Sequence, residues 1–464
     1  MEFFEKRKWQ TGTLAGILVP VLLAGCAAPD IRSDETLSAV TPAAWSTDAR
    51  IEAGVSPAEF WKAWHDETLE RLISLVQTNS PSVESAMAAL RSARAGIRSA
   101  DAQLWPSVTG SAGASRTRAA GSSSNRFDGT LSGEWSINVA GAMYARYDEA
   151  ILAARAKAWS LEAVKDQMKA QVATAYINLR AAEEKERLLE KMLESYRSTA
   201  QLARWKAEAG LVGQTDSEMA QVQVQSAIVR LNSIRESKAQ YRNAIARLVA
   251  LPNDRLDIPE KGEIPRPDAG FAVSIPAEVL MRRPDVRSAL ESLQAAAKGV
   301  QASQADFFPT LRLSGSLGTE AATIGALGAS GTGVGMLAAA LSSPILNWGS
   351  LRAAEETAQA NFDQAKATYR QTLVEALEET DNALWAVKSS EMSASALEQS
   401  VLHARNAREI SRLEYQSGLG DYTELLTAER EYLSAQESEI DNRAGTSNAY
   451  ATLFRVLGGE WNTR

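Results

Sequence analysis

Residues 142–209 read AMYARYDEAILAARAKAWSLEAVKDQMKAQVATAYINLRAAEEKERLLEKMLESYRSTAQLARWKAEA. This run lies between Gly141 and Gly210, contains neither glycine nor proline, and is rich in Ala, Glu, Arg, Lys, Gln and Leu, which favour helix. At about 1.5 Å per residue, one helix over the whole run is about 100 Å long. A globular domain cannot enclose a helix of that length, so the sequence predicts an extended helical structure.

The same pattern occurs a second time in the chain. A run of equal length without glycine or proline lies between Gly349 and Gly418. Upstream of the two runs, Gly96-Ile-Arg-Ser-Ala-Asp-Ala-Gln-Leu-Trp-Pro106 matches Gly299-Val-Gln-Ala-Ser-Gln-Ala-Asp-Phe-Phe-Pro309. The chain therefore contains one architectural unit twice.

Each long helix is followed by a glycine-bearing break and a second, shorter helix. The second arms are predicted at Gln214–Leu251 and Tyr422–Leu457, ending at Pro252 and at Gly458-Gly459. Two helical hairpins follow from this pattern. The second arms are too short to cover the whole of the long helices that they pair with. The helices predicted before the strands, at 82–104 and 285–308, supply the missing length if they stack end to end on these shorter arms.

The periodicity changes after each of the two matching prolines. After Pro106, Val108, Gly110, Ala112 and Ala114 alternate with small polar residues, and Leu131 to Val139 alternate in the same way. After Pro309, Leu311, Leu313 and Leu317 alternate with Arg312, Ser314 and Ser316. A fourth strand is predicted up to Leu346, where the alternation is poor. Strands of this length and pattern are typical of an outer-membrane barrel, although a soluble sandwich is the alternative.

Four strands are too few to close a barrel, and open edges in lipid leave costly unpaired backbone groups. Two chains give eight strands and no open pore, whereas three give twelve strands and a lumen. We therefore predict a mainly α fold with membrane β: a duplicated unit gives four β-strands per chain in a trimeric 12-stranded barrel, continued by a long α-helical coiled-coil barrel.

The N-terminus is typical of an exported protein. Lys6-Arg7-Lys8 precede an apolar run from Thr11 to Leu23, which predicts a signal peptide over residues 1–25. Leu22-Leu23-Ala24-Gly25-Cys26 resembles a bacterial lipobox, and Cys26 is the only cysteine of the chain. On this interpretation Cys26 carries covalent lipid and residues 26–60 form a lipidated N-terminal segment. An ordinary signal peptide that happens to contain a cysteine is the alternative.

Composition argues against other classes of function. The formal net charge is −8, which disfavours nucleic-acid binding. The two histidines, His65 and His403, belong to no metal-ligand or catalytic-triad spacing, and no glycine-rich phosphate loop precedes a helix. We therefore expect no enzyme activity, no catalytic residue, no metal and no cofactor apart from the lipid.

The segment Ile275-Pro-Ala-Glu-Val-Leu-Met-Arg-Arg-Pro-Asp-Val-Arg287, followed by Leu290-Glu291, carries a family resemblance. Together with the lipobox and the duplicated units, it resembles the TolC-like outer-membrane efflux proteins, in the NodT-type lipoprotein branch that serves resistance-nodulation-division pumps. The resemblance implies a homotrimer in the outer membrane, in contact with its lipid, that passively conducts small molecules such as drugs, toxic compounds or metal ions. Its partners would be a periplasmic adaptor and an inner-membrane pump.

Two other functions remain open at this point. The exit channel of a type I protein-secretion system shares this fold, and genomic neighbours would decide between it and the pump branch. A periplasmic adaptor also uses helical hairpins, but adaptors carry one hairpin, whereas this chain has two hairpins and two strand pairs.

The domain organisation that follows has two repeats and a linker. The first repeat covers 61–252, with strands near 107–139 and a hairpin over 142–251; a linker covers 253–275. The second repeat covers 276–464, with strands near 310–346 and a hairpin over 350–457.

The family signature comprises Arg282, Arg283, Pro284, Asp285 and Arg287. Pro284 suits the first turn of a helix and Asp285 its positive end, so we interpret the signature as structural. Asn79-Ser-Pro81-Ser-Val83 occupies the matching place in the first repeat and is expected to have the same role.

The resemblance also implies a closed periplasmic gate at the hairpin tips. Physically, three copies of Asp216 or Glu424 around a narrow axis would repel one another and attract cations. Thr427 stands where related ducts usually carry the Asp that forms this ring of acids. Which acid forms the ring in this chain, Asp216 or Glu424, therefore stays open. Equally open is the alternative that Gly210 and Gly418 merely cap helices followed by solvated acids. The gate candidates are Asp216, Tyr415, Asp421, Tyr422, Glu424, Thr427 and Arg430, and the tip glycines are Gly210, Gly213, Gly418 and Gly420.

Overall fold

A computed structural model describes residues 38–39, 41–42, 45–46, 60–119, 121–260, 262–267 and 276–459. The predicted signal peptide, the lipidation site at Cys26 and residues 268–275 of the predicted linker lie outside the described residues. The helices are α1 (Glu67–Asn79), α2 (Pro81–Ala102), α3 (Ala142–Glu208), α4 (Gln214–Leu248), α5 (Pro276–Arg282), α6 (Pro284–Ala305), α7 (Trp348–Ser417) and α8 (Tyr422–Val456). The strands are β1 (Ser107–Ala119), β2 (Ser122–Asn138), β3 (Thr310–Ala321) and β4 (Gly333–Ser342).

The strands form one antiparallel sheet in the order β1-β2-β3-β4. The fold class is confirmed in that the chain is mainly helical with a small antiparallel sheet of four strands. The last strand ends earlier than predicted, at Ser342 and not near Leu346. Pro344 explains the difference, because proline has no backbone N–H to donate to a strand ladder.

The register segregates side chains onto two faces of the sheet. Because Cβ atoms alternate along a strand, residues paired in register share a face. One face, called the polar face below, carries Ser107, Thr109, Ser111, Thr130, Ser132, Glu134, Arg312, Ser314 and Ser316. The other, called the apolar face, carries Val108, Ala112, Leu131, Trp135, Ile137, Leu311, Leu313, Leu317 and Leu341.

Dense internal contacts divide the described chain into two units. The first unit contains the sheet and comprises the described residues of 97–150 and 294–363. The second unit contains most of each hairpin and comprises the described residues before 97, of 151–293 and of 364–459. In the sheet unit, Asn138 joins β2 to two helices. Its amide donates to Ala305 O at 3.1 Å, and its Oδ1 accepts from Ala142 N, the first residue of α3, at 3.2 Å.

The hairpin unit has two hydrophobic clusters. The larger one gathers Phe60, Trp61 and Trp64 against Phe454, whose ring stacks on Phe60 at 4.9 Å. The smaller one lies towards the hairpin tips and comprises Leu189, Met192, Tyr196, Ala220, Val224, Tyr415, Tyr422, Leu425, Leu426 and Leu433, among others. Burial of these apolar side chains supplies the main stabilisation of the paired helices.

A buried arginine fixes the start of the linker against α3. Arg180 is buried and donates to Glu183 Oε2 at 2.7 Å and to Pro259 O at 2.9 Å. Its Nε also donates to the hydroxyl of Tyr176 at 3.0 Å, and that hydroxyl in turn contacts Asp66 Oδ2 at 2.8 Å. The charge of Arg180 is therefore fully compensated inside the unit.

Over the described part of the chain, no helix combines the length and the apolar character that crossing a membrane requires.

Candidate functional site

The two hairpin tips end their long helices in the same way. Gly210 and Gly418 have φ of 72° and 79°, a conformation that residues with a Cβ rarely adopt. The next residue closes the turn, because Leu211 N donates to Lys206 O and Leu419 N to Glu414 O, both at 2.8 Å. This is the Schellman arrangement, so the tip glycines satisfy the last carbonyls of α3 and α7.

The second arm of each hairpin begins with a different cap. Gly213 precedes α4 without a side-chain cap, whereas Asp421 precedes α8 and its Oδ1 accepts from Glu424 N at 2.9 Å. The carboxylate of Asp421 thus satisfies a backbone donor and complements the positive end of α8. Gly420 packs closely there, because a Cβ on it would lie 3.1 Å from Cβ of Glu414.

A pair of buried tyrosines joins the two arms of the second hairpin next to its tip. The rings of Tyr415 and Tyr422 meet edge to face with centroids 5.8 Å apart. Lys206 lies 4.2 Å from the centroid of the Tyr415 ring and donates to Tyr415 O. Burial raises the pKa of both hydroxyls, and the charge of Asp216 adds to the rise at Tyr415. Both tyrosines therefore stay neutral and act as packing groups.

The remaining gate candidates differ in exposure. Asp216 is half-buried in the first turn of α4, whereas Asp421, Glu424, Thr427 and Arg430 are exposed. Thr427 Oγ1 donates within its own helix to Thr423 O at 2.8 Å, and Arg430 Nη2 donates to Gln223 Oε1 of α4 at 3.2 Å. The structure thus brings Tyr415, Tyr422 and Asp216 together and leaves the other acids open to solvent.

Sequence reasoning missed a buried carboxylate in the same cluster. Glu429 of α8 is 0% exposed, and among the described residues neither of its carboxylate oxygens has a hydrogen-bond partner. Burial raises its pKa to about 7, although the charges of Arg408 and Arg412 oppose the rise. A signal was available, because Glu429 stands four residues after Leu425 and four before Leu433, on the apolar stripe of the helix.

The groups around Glu429 come from three helices. Arg408 and Arg412 face it from α7, Tyr196 from α3 and Tyr422 from its own helix. The hydroxyl of Tyr415 also lacks a hydrogen-bond partner in the described part of the chain. Arg408 is held in place by Ser195 Oγ at 3.0 Å and by the Tyr432 ring at 5.1 Å. Burial favours the neutral carboxyl of Glu429 and the two guanidinium groups favour its ionised form, and the balance of the two raises its pKa to about 7.

The family signature joins three helices at the other end of the second hairpin. Arg283 is buried and its Nη2 donates to Asp285 Oδ2 and to Glu379 Oε2, both at 2.7 Å. Its Nη1 donates to Ala376 O at 3.4 Å and to Val456 O at 3.3 Å. Burial opposes ionisation of Asp285, but the hydrogen bond and charge of Arg283 outweigh it and hold the pKa of Asp285 below its usual range.

The other signature residues shape the start of α6. Pro284 is its first residue, as Pro81 is of α2, and Asp285 accepts from Val286 N at 2.8 Å. Arg287 donates to Met281 O at 2.8 Å and lies 4.7 Å from the Trp159 ring. Arg282 is exposed. These contacts hold the start of α6 in place.

No group of three or more His, Cys, Asp or Glu side chains is arranged to bind a metal ion within the described ranges.

Comparisons with known proteins agree over most of the chain. The model of the family described as outer membrane efflux protein matches residues 72–251 and 275–459. The toluene efflux pump outer membrane protein TtgC of Pseudomonas putida is 26% identical over 464 residues, covering 95% of this chain and 94% of the relative. The pyoverdine export outer membrane protein OpmQ of Pseudomonas aeruginosa is 27% identical, with 96% of each chain covered.

Solved structures show the same fold. The outer-membrane channel OprN superposes with a TM-score of 0.84 at 26% identity, over 90% of this chain and 97% of that one. Both hairpins and all four strands fall within the ranges that the family model matches. The chain belongs to the outer membrane efflux protein family.

Proposed function

We propose that this chain is the exit duct of a tripartite efflux pump, working as a homotrimer in the outer membrane. It would conduct small molecules passively from an inner-membrane pump and its periplasmic adaptor to the exterior. The relatives, a toluene efflux pump outer membrane protein and a pyoverdine export outer membrane protein, support this class of function.

The sheet is the observation that carries the proposal. In the order β1-β2-β3-β4, the outer strands β1 and β4 each have one edge without a partner in the part of this chain that the structure describes. An open edge in hydrocarbon leaves backbone groups unpaired at several kcal/mol each. Pairing β4 of one subunit with β1 of the next removes these edges, and three subunits then give a closed barrel of twelve strands.

The two faces of the sheet match this arrangement. The polar face bears Glu134 and Arg312, whose side chains form an ion pair at 3.2 Å, among serines and threonines. The apolar face bears exposed Leu131, Leu317 and Leu341. A barrel with its polar face inward has a water-filled lumen and a lipid-facing exterior.

The N-terminal lipid and the gate belong to the same proposal. Diacylglycerol and acyl groups on Cys26 would hold the N-terminal segment at the periplasmic leaflet of the outer membrane, because several acyl chains anchor a protein stably. The hairpin tips would form the gate, with the tyrosine pair packing the hairpins together and Asp216, Asp421 and Glu424 supplying negative charge near the axis.

Cross-linking of neighbouring subunits tests the arrangement of strands. We substitute Ser111→Cys in β1 and Ala338→Cys in β4, both on the polar face, and treat membranes with a short bis-maleimide. Closure by β1–β4 pairing predicts a covalent trimer on denaturing gels. A control with Ser132→Cys in β2 and Ala338→Cys places the thiols on strands that are neighbours neither within nor between subunits. Monomer alone in the first variant would contradict the proposed assembly.

A further inference from the structure

Charged side chains on the sheet divide unequally between its faces. Arg126, Asp128, Glu134, Arg312 and Glu320 all lie on the polar face, and all of them are in ion pairs there: Arg126 with Asp128 and Glu320, and Arg312 with Glu134. Arg116 and Arg118 are the only other charged residues of the described strands.

Arg116 and Arg118 lie on the apolar face. They pair in register with Asn125 and Ser123, in continuation of the row that contains Val108, Ala112 and Leu131. Both are exposed, and no carboxylate of the described residues forms an ion pair with either. Two adjacent guanidinium groups on a lipid-facing surface therefore need an anion from outside this chain's described part.

The position of the two arginines matches the edge of a bilayer. Ser107 pairs with Glu134, next to Trp135, at the end of the sheet where α2 and α3 connect. From Ser107 to Arg116 the strand advances about 30 Å, which is about 23 Å along the membrane normal at a tilt of about 40°. An outer-membrane barrel has an apolar band about 25 Å tall. Arg116 and Arg118 thus lie at the interface opposite to Trp135.

A neighbouring subunit does not supply the missing anion through the strand that would pair with β1. Neither β4 nor the segment 322–332 before it contains Asp or Glu. Glu320, at the same end of β3, already pairs with Arg126 at 2.9 Å. A lipid phosphate is the remaining anion at this depth, and guanidinium binds phosphate through paired, charge-assisted hydrogen bonds.

We propose that Arg116 and Arg118 form a binding site for the phosphate groups of the phosphorylated glycolipid in the outer leaflet. This rests on the proposed function, because the helices must point into the periplasm for this end of the sheet to face outward. The two guanidinium groups, two residues apart on one face, would hold a glycolipid bearing two phosphates and orient the barrel in the membrane.

Native mass spectrometry of the detergent-extracted trimer tests the site. The trimer is titrated with bisphosphorylated lipid A, with its monophosphorylated form and with phosphatidylethanolamine. We expect preferential retention of bisphosphorylated lipid A by the wild type. The Arg116→Gln/Arg118→Gln variant should bind it at least roughly tenfold more weakly, as expected for the loss of two charge-assisted hydrogen bonds.

Two variants make the result specific. Arg126→Gln/Arg312→Gln removes the same charge from the polar face and should retain the lipid as the wild type does. Arg116→Lys/Arg118→Lys keeps the charge and should bind with intermediate affinity. Equal binding by the wild type and the Arg116→Gln/Arg118→Gln trimer, or no preference for two phosphates, overturns this inference alone. A wild-type protein that forms no membrane-embedded trimer overturns the proposed function as well.

Discussion

At the scale of single residues, the buried carboxylate of Glu429 makes the packing of the hairpins sensitive to pH. Its pKa is raised from 4.5 to about 7, so the stability linked to the protonated form is complete below about pH 4.5 and is lost as the pH rises through about 7. Glu429→Gln should remove this dependence and stabilise the hairpins at pH 8 by up to about 3 kcal/mol, with little effect at pH 4.5. Thermal unfolding of the purified protein at the two pH values measures the difference.

The neighbouring carboxylate of Glu424 provides the matched control. It belongs to the same helix but is exposed, so Glu424→Gln should change the thermal midpoint little at either pH. If Glu429→Gln lowered the midpoint at pH 8, the ionised carboxylate would be stabilised by Arg408 and Arg412, contrary to our assignment. The same result would point to an ion pair across α7 and α8.

At the scale of elements, Arg283 connects the start of α6 to the middle of α7 and to the end of α8. Its replacement by alanine removes the guanidinium that donates to Asp285, Glu379 and two backbone carbonyls, and leaves Arg455 as the remaining cation beside Glu379. Breaking a buried, hydrogen-bonded charge pair typically destabilises a protein by about 3–5 kcal/mol. We therefore expect Arg283→Ala to lower the free energy of unfolding by about that amount in denaturant titrations.

Arg282→Ala is the control that distinguishes the loss of the buried contacts of Arg283 from the loss of one positive charge. Arg282 is exposed, so Arg282→Ala removes the same charge from the same motif and should destabilise the protein by less than about 1 kcal/mol. Equal losses from both variants would show that the signature acts through its overall charge and not through the buried contacts of Arg283.

The helices and most strand boundaries could be predicted because local sequence determines them. The absence of glycine and proline between Gly141 and Gly210 predicts α3, and a second such run predicts α7. Alternation predicts β1 and β2, since each has one polar and one apolar face. The end of β4 lies earlier than predicted, because the poor alternation gives no boundary and Pro344 cannot donate to a strand ladder.

Contacts between distant segments could not be predicted in the same way. The partners of Arg283, Glu379 and Val456, are far from it in sequence, and nothing local indicates that they meet. Tyr415 and Tyr422 are predicted as gate residues on the family resemblance; their rings lie in the smaller hydrophobic cluster, and their part in a gate stays a prediction. The lumen-facing role of Asp216, Asp421 and Glu424 depends on the assembly and stays a prediction.

At the scale of the whole molecule, the proposed trimer places three copies of each hairpin-tip carboxylate around one axis. An exposed Glu424 has little effect alone, but three copies around one axis concentrate negative charge. Three copies of Asp216, which is half-buried beside Tyr415, would add to this negative charge.

The charge of the hairpin tips should therefore control which ions pass the closed end. Replacing Asp216 and Glu424 with alanine removes six carboxylates from a trimer, so we expect a higher conductance and a several-fold loss of cation preference in planar bilayers. Glu236→Ala/Glu398→Ala removes the same net charge from exposed positions far from the tips in sequence and should leave both quantities near their wild-type values. If the tip variant and this control behave alike, the narrowest ring is formed elsewhere, and the solvated-acid interpretation of the tips is correct. Because Tyr415 and Tyr422 pack the hairpins without those carboxylates, the tip variant should still assemble, so a change in conductance reports on charge and not on folding.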